Sequence, residues 1–173
     1  MTSQPQSARP RSSTSVYEAA SRTDPFGVLL AEHALLRQAF ARLFIAAAED
    51  ADPLSVRRGL EALSDSLRLH QRREDAVLYP VCERLFGGKG GAASVLRCDH
   101  ATIQDQLGVL ARQLDVAGRV SSVRLDALRH AMDDHFGKEE RVLFPLTAAL
   151  LSGAESSDLE RRLRAPPPNP REG

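Results

Sequence analysis

Two segments of the chain carry a histidine that is followed four residues later by a glutamate. They are His70 with Glu74 and His135 with Glu139, and the second pair lies 65 residues after the first. In a helix, residues four apart lie one turn apart on the same face, so each imidazole and carboxylate can reach one point. Imidazole and carboxylate together suit iron or manganese. The spacing therefore indicates a metal site shared by two helices.

A single histidine precedes each of these pairs, His33 before the first and His100 before the second, and the two lie 67 residues apart. Each falls on an apolar stripe with helical spacing. The chain is thus a pseudo-repeat of two helical hairpins, each with one lone histidine and one histidine–glutamate pair. Buried glutamates without partners are rare, which favours a common site. We predict six metal ligands: His33, His70, Glu74, His100, His135 and Glu139.

The positions of the turns place these residues at one depth. In an antiparallel hairpin, two residues lie at equal depth when the turn falls midway between them. The midpoint of the first two histidines falls within residues 50–53, where Asp-Ala-Asp-Pro interrupts the helix. The midpoint of the last two falls at residues 117–118, at an Ala-Gly step. A misplacement of four residues would separate the side chains by about one turn, roughly 6 Å.

Apolar periodicity predicts four long helices, at about residues 25–49, 53–86, 92–116 and 120–151. Short connections between them favour antiparallel neighbours. The predicted fold is all-α, an up-down-up-down four-helix bundle with a metal site in its core. The inward faces are expected to include Val95, Val142 and Leu146. Pro80 and Pro145 fall late in the second and fourth helices, which they should kink or locally loosen.

The remainder of the chain divides into two flanking stretches. Residues 1–23 are rich in Ser and Arg and lack an apolar segment, so we predict a disordered N-terminal tail and no secretory signal. Residues 24–151 form the predicted bundle. Residues 152–173 are expected to contain a short helix and then a loose tail.

Composition limits the possible partners and the compartment. Among the 173 residues, 23 are Lys or Arg and 23 are Asp or Glu, so no basic field would attract nucleic acid or a membrane surface. No apolar run approaches the roughly 18 residues of a membrane helix. Cys82 and Cys98 lack CxxC spacing, and we expect both to be small core residues. Free thiols fit a reducing environment, so we predict a cytoplasmic protein.

With its H…HxxxE…H…HxxxE pattern, the chain resembles the hemerythrin-like, or HHE cation-binding, family over about residues 24–151. Each pair is followed by a Leu-aromatic-Pro segment, Leu78-Tyr79-Pro80 and Leu143-Phe144-Pro145. The resemblance implies a four-helix bundle around two non-heme iron ions joined by an oxo or hydroxo bridge. Glu74 and Glu139 would bridge the ions and the histidines would be terminal ligands. Manganese is an alternative metal.

One position departs from the family pattern. Oxygen-carrying hemerythrins have a fifth histidine four residues after the third-helix ligand, and this chain has Gln104 there. Two six-coordinate ions would then keep about two open positions, which favours reaction with a small molecule over reversible oxygen carriage. We expect catalase-like decomposition of hydrogen peroxide, or nitric oxide or oxygen chemistry. The alternatives are a binding module that senses oxygen, redox state or iron through a protein partner, and an iron donor for iron–sulfur cluster repair.

Several nearby residues are given lesser roles. His130 should lie off the ligand face of its helix. Asp75 and Glu140, each one residue beyond a ligand carboxylate, are expected either to hydrogen-bond a ligand from outside or to lie in solvent. Tyr79 occupies the position equivalent to Phe144 and is expected to serve packing rather than redox chemistry.

Overall fold

The protein is described here by a computed structural model that covers residues 24–48, 52–88 and 91–167. Within these residues the structure is helical and contains no strand, which confirms the all-α class. The predicted tail at 1–23, part of the first turn and residues 168–173 lie outside the described residues. The α-helices are α1 Gly27–Ala48, α2 Pro53–Arg73, α3 Tyr79–Phe86, α4 Ala92–Ala117, α5 Ser122–Lys138, α6 Phe144–Leu150 and α7 Gly153–Arg164.

Local sequence explains where the long helices begin and end. The side chain of Asp52 accepts a hydrogen bond from the backbone N–H of Ser55, and Pro53 occupies the first position of α2. Gly118 follows α4 with a φ of 67°, and its N–H donates to the carbonyl of Leu114. A left-handed residue is easiest for glycine, so this position turns the chain toward α5.

A five-residue π-helical segment interrupts each of the two helices that carry a histidine–glutamate pair. The segments are Glu74–Leu78, which joins α2 to α3, and Glu139–Leu143, which joins α5 to α6. The N–H of Tyr79 donates to the carbonyl of Glu74, five residues back. A proline follows each segment and has no N–H to donate. The loosening expected at the prolines is therefore a π turn, and each turn begins at a candidate ligand.

The second π segment changes which residues face inward. A π turn holds one residue more than an α turn, so the inward positions after Glu139 move along by one. Leu143 and Thr147 are buried there, whereas Val142 and Leu146 are 54% and 53% exposed. The prediction that Val142 and Leu146 face the core is therefore wrong.

Two inward assignments near the start of α4 are also wrong. Val95 is 54% exposed and Cys98 is exposed, although Cys82 is buried as expected. The inward face of α4 instead passes through Ala93 and Leu96 on its way to His100.

The π segments join α2 to α3 and α5 to α6, so these pairs form two long helical stretches beside α1 and α4. The four stretches pack in a closed order: α1 against α2, α2 against α4, α4 against α5, and α5 against α1. Their buried side chains form two apolar clusters. One cluster contains Leu36, Leu63, Leu67, Ile103, Leu107 and Met132, among others. The other contains Leu29, Leu78, Leu96, Leu143, Leu159 and Leu163, among others. Along α1, α2 with α3, and α4, the candidate ligands fall between the residues of the two clusters. On α5, Phe136 of the first cluster lies between His135 and Glu139.

The helix α7 belongs to this core. Ser152 caps it in a reciprocal capping box with Glu155. The helix packs against α1 and the first π segment, and it contributes Leu159 and Leu163 to the second cluster. No helix in the described ranges is long and apolar enough to cross a membrane.

Replacing Leu159 by alanine should lower the free energy of unfolding by about 2–4 kcal/mol, because the side chain is 1% exposed within a packed cluster. Leu150→Ala is the matched control. That side chain is 54% exposed, so its loss should change stability by less than about 0.5 kcal/mol. Urea unfolding of the two variants measures the difference. Equal effects would show that α7 is not an integral part of the core.

Candidate metal centre

All six candidate ligands meet in one buried layer. These residues are between 0% and 6% exposed. Ligand atoms within 4.8 Å of one another form two overlapping groups. The first group is His33, His70, Glu74 and Glu139, and the second is Glu74, His100 and His135.

The histidines form two facing pairs within this layer. The Nε2 atoms of His33 and His70 are 3.1 Å apart, and those of His100 and His135 are also 3.1 Å apart. We call these the first and second half-sites. In each half-site the inner nitrogens of two imidazoles therefore approach a common point, one from each helix of a hairpin.

Both carboxylates reach across the two half-sites. Glu74 Oε1 lies 3.0 Å from His70 Nε2, and its Oε2 lies 3.2 Å from His100 Nε2. Glu139 Oε2 lies 3.3 Å from His33 Nε2 and 3.6 Å from His135 Nε2. The π turns that begin at these two glutamates thus present one carboxylate from each hairpin to the centre of the layer.

Three of the four carboxylate oxygens in the layer lack the partners that buried groups need. Both oxygens of Glu74 and Oε2 of Glu139 are buried without a well-directed hydrogen bond. Buried carboxylate oxygens in that state are costly. A cation among these oxygens and the converging Nε2 atoms would satisfy them together. The donor set therefore fits a metal ion.

The proton distribution of the layer follows from burial and mutual charge. Burial raises the pKa of Glu139 to about 7, with help from the negative charge of Glu74. Burial lowers the pKa of His135 to about 4 despite the attraction of Glu74. For His100, burial opposes protonation, but the nearby carboxylates of Asp75 and Glu74 outweigh it and raise the pKa to about 9. One imidazole of the second half-site is thus protonated and the other neutral, which suits an N–H···N hydrogen bond.

Tyr79 packs within the second apolar cluster, as expected, and its hydroxyl also belongs to the site. Its hydroxyl donates to Glu139 Oε1 at 2.9 Å and lies 3.2 Å from His100 Nε2. The side chain is fully buried. Burial, with the neighbouring carboxylates Glu74 and Glu139, holds the pKa of this phenol well above its usual value, so it stays a donor. The signal in the sequence was the single hydroxyl that distinguishes Tyr79 from its repeat equivalent, Phe144.

Removing this hydroxyl should have a measurable cost. In metal-free protein, Tyr79→Phe leaves Glu139 Oε1 without its donor in a buried layer. We expect a loss of about 1.5–3 kcal/mol in the free energy of unfolding, because the bond involves an ionisable acceptor. Urea unfolding checks the value. A change below about 0.5 kcal/mol would mean that the ring alone matters.

Two other residues lie apart from the layer. Gln104, which stands where oxygen carriers have a fifth histidine, donates to Gln71 Oε1 at 2.8 Å and accepts from Arg68 Nε at 3.2 Å. It therefore faces α2 rather than the candidate ligands. His130 is exposed, with Nδ1 2.7 Å from the carbonyl of Asp126, which confirms that it lies off the ligand face.

A helical fold with a buried cluster of histidines and glutamates is typical of metal-binding proteins. The chain belongs to the hemerythrin HHE cation binding domain family, whose model matches residues 24–156. No curated protein matches it. The family and the buried cluster together indicate that this layer is a metal-binding site.

Proposed function

We propose that this protein is a non-heme di-iron protein of the cytoplasm, built on an up-down-up-down four-helix bundle over residues 24–151, that decomposes hydrogen peroxide. The observation that carries the proposal is the pair of half-sites spanned by two carboxylates. His33 and His70 would hold one ion, His100 and His135 the other, and Glu74 and Glu139 would bind both. The free thiols of Cys82 and Cys98 fit a reducing compartment.

The mixed set of ligands favours iron over zinc, since structural zinc sites are closed tetrahedra of sulfur and nitrogen donors. A pair of iron ions would supply reversible electron transfer to a small oxidant. Four imidazoles and two carboxylates would leave some coordination positions of two such ions for a small molecule. Gln104, turned toward Gln71, does not contribute a further ligand.

The chain's own residues shape the space around that molecule. The Phe136 ring stacks on His33 with centroids 4.1 Å apart, and both rings are fully buried, which limits water on that side. The Tyr79 hydroxyl holds a proton beside Glu139 and His100. This hydroxyl has a single proton to donate, so a small oxygen-containing ligand would compete with Glu139 for it.

Iron loading followed by peroxide addition tests the proposal. The full chain is loaded with Fe(II), desalted and analysed for bound iron, and oxygen evolution from hydrogen peroxide is then followed with an electrode. We expect oxygen release above that of free iron at the same concentration. The controls are the metal-free chain and iron-treated Glu74→Gln. Bound iron with no oxygen above these controls would reject the peroxide activity, and no bound iron would reject the metal site itself.

A further inference from the structure

The outer nitrogen of each candidate ligand histidine faces an acidic side chain. Because Nε2 points into the layer, Nδ1 points outward, and a carboxylate lies opposite it in all four cases. The distances from Nδ1 are 2.7 Å for His33 to Glu140, 2.8 Å for His70 to Glu32, 3.7 Å for His100 to Asp75 and 3.7 Å for His135 to Asp99. We call Glu32, Asp75, Asp99 and Glu140 the outer acids.

Every outer acid is the sequence neighbour of one ligand but faces a histidine on a different element. Glu32 precedes His33 in α1 and faces His70 in α2. Glu140 follows Glu139 and faces His33 in α1. Asp99 and Asp75 repeat these two relations at the second half-site. The outer acids therefore tie the elements of the layer to one another.

Basic side chains fix the outer acids in place. Arg73 pairs with Glu32, and Arg37 pairs with Glu140 at 2.9 Å. Arg97 pairs with Asp75 at 3.2 Å, and Lys138 pairs with Asp99 at 2.9 Å. Each outer acid is thus oriented by a basic side chain without help from a metal.

The two half-sites differ in how their histidines are held. At 2.7 and 2.8 Å, the glutamates of the first half-site are within hydrogen-bond distance of Nδ1, whereas the aspartates of the second, at 3.7 Å, are not. The Nδ1 atoms of His100 and His135 accordingly have no hydrogen-bond partner. Aspartate is one methylene shorter than glutamate, which is consistent with the gap.

A carboxylate on Nδ1 places the proton there, directs the Nε2 lone pair inward and makes the imidazole a stronger ligand. We propose that Glu32 and Glu140 are positioning residues that make the first half-site the tighter metal position, so that it fills before the second. The aspartates of the second half-site lie 3.7 Å from the histidine Nδ1 atoms, so this half-site binds its ion more weakly. The inference rests on the proposed dinuclear site and adds an order of filling to it.

This order can be tested by titrating the metal-free full chain with Fe(II) under anaerobic conditions. The heat of binding is measured by isothermal titration calorimetry. Wild type should bind in two distinguishable steps. Glu32→Gln and Glu140→Gln should each weaken the first step by about 10–100-fold, the size of effect typical of groups that orient a metal-bound histidine. Asp75→Asn and Asp99→Asn should affect mainly the second step, and less strongly. Circular dichroism and the unfolding midpoint of each metal-free variant control for folding.

Exchanging glutamate and aspartate among the outer acids changes the length of the side chain and provides a second, independent test. Glu140→Asp should move its carboxylate away from His33 and weaken the first step, whereas Asp99→Glu should bring a carboxylate toward His135 and strengthen the second. Two equal steps in wild type, or a greater loss from the aspartate variants than from the glutamate variants, would overturn the inference while leaving the dinuclear site in place. Absence of Fe(II) binding in wild type would instead reject the site on which both proposals rest.

Discussion

Glu74→Gln should remove most of the bound metal from this protein. Glu74 belongs to both groups of candidate ligand atoms, with one oxygen 3.0 Å from His70 Nε2 and the other 3.2 Å from His100 Nε2. An amide of the same shape carries no charge and offers one poor oxygen donor in place of two carboxylate oxygens. We therefore expect metal affinity to fall by about 100-fold or more, beyond the range produced by groups outside the coordination sphere.

The measurement is the metal content of iron-loaded protein after exhaustive dialysis. Glu61→Gln is the control, because Glu61 lies on the same helix, α2, but is exposed. This variant makes the same chemical change away from the layer and should retain the wild-type metal content. If Glu74→Gln also retained it, Glu74 would not be a ligand, and the buried carboxylate would need another explanation.

Removal of the metal should lower the midpoint of thermal unfolding by about 15–30 °C. A ligand that binds the folded state at a thousandfold excess over its dissociation constant contributes about 4 kcal/mol, so two ions contribute about 8 kcal/mol together. In a chain of this size each kcal/mol shifts the midpoint by about 2–4 °C. The physical source is the layer itself, where buried carboxylate oxygens lack partners without a cation.

Circular dichroism of iron-loaded and chelator-treated protein measures this shift. Glu74→Gln serves as the internal comparison, since a variant that cannot hold metal should melt at nearly the same temperature with and without chelator. Identical midpoints for loaded and chelated wild type would mean that metal binding is not coupled to folding in this chain.

The convergence of the six candidate ligands could be predicted from the sequence because it depends on two simple regularities. Residues four apart share a helix face, and residues equidistant from a turn share a depth. His70 and Glu74 follow the first rule, and His33 with His70 follows the second. The structure brings these side chains together in one layer. Their role as ligands remains a prediction that the titrations above address.

The π turns could not be predicted from periodicity, and other errors followed from them. In an uninterrupted α-helix the apolar residues Val142 and Leu146 fit the inward face, but Leu143 and Thr147 are the residues that are buried. Thr147 is polar, so it gave no sign of burial. Prolines marked the disturbed region but not its kind, since a proline can be accommodated by a kink as well as by a π turn.

Contacts between side chains on distant elements also could not be predicted from the sequence. The sequence flagged Asp75 and Glu140 through their positions next to ligand carboxylates, but it gave no reason to select Glu32 or Asp99. Their importance depends on the side from which neighbouring helices approach His70 and His135. The Tyr79 hydroxyl reaches Glu139 in the same way, across 60 residues of chain.

The polar layer between the two apolar clusters also specifies how the helices align along their length. Buried apolar residues recur at most turns of α2 and α4, so a helix that slid by one turn, about 5.4 Å, would still find apolar neighbours. Such a shift would set Glu74 against leucine side chains and separate the outer acids from their histidines, at a cost of several kcal/mol. The layer is therefore expected to specify the axial register of the packed helices. Its residues select a single register for the helices before any ion binds.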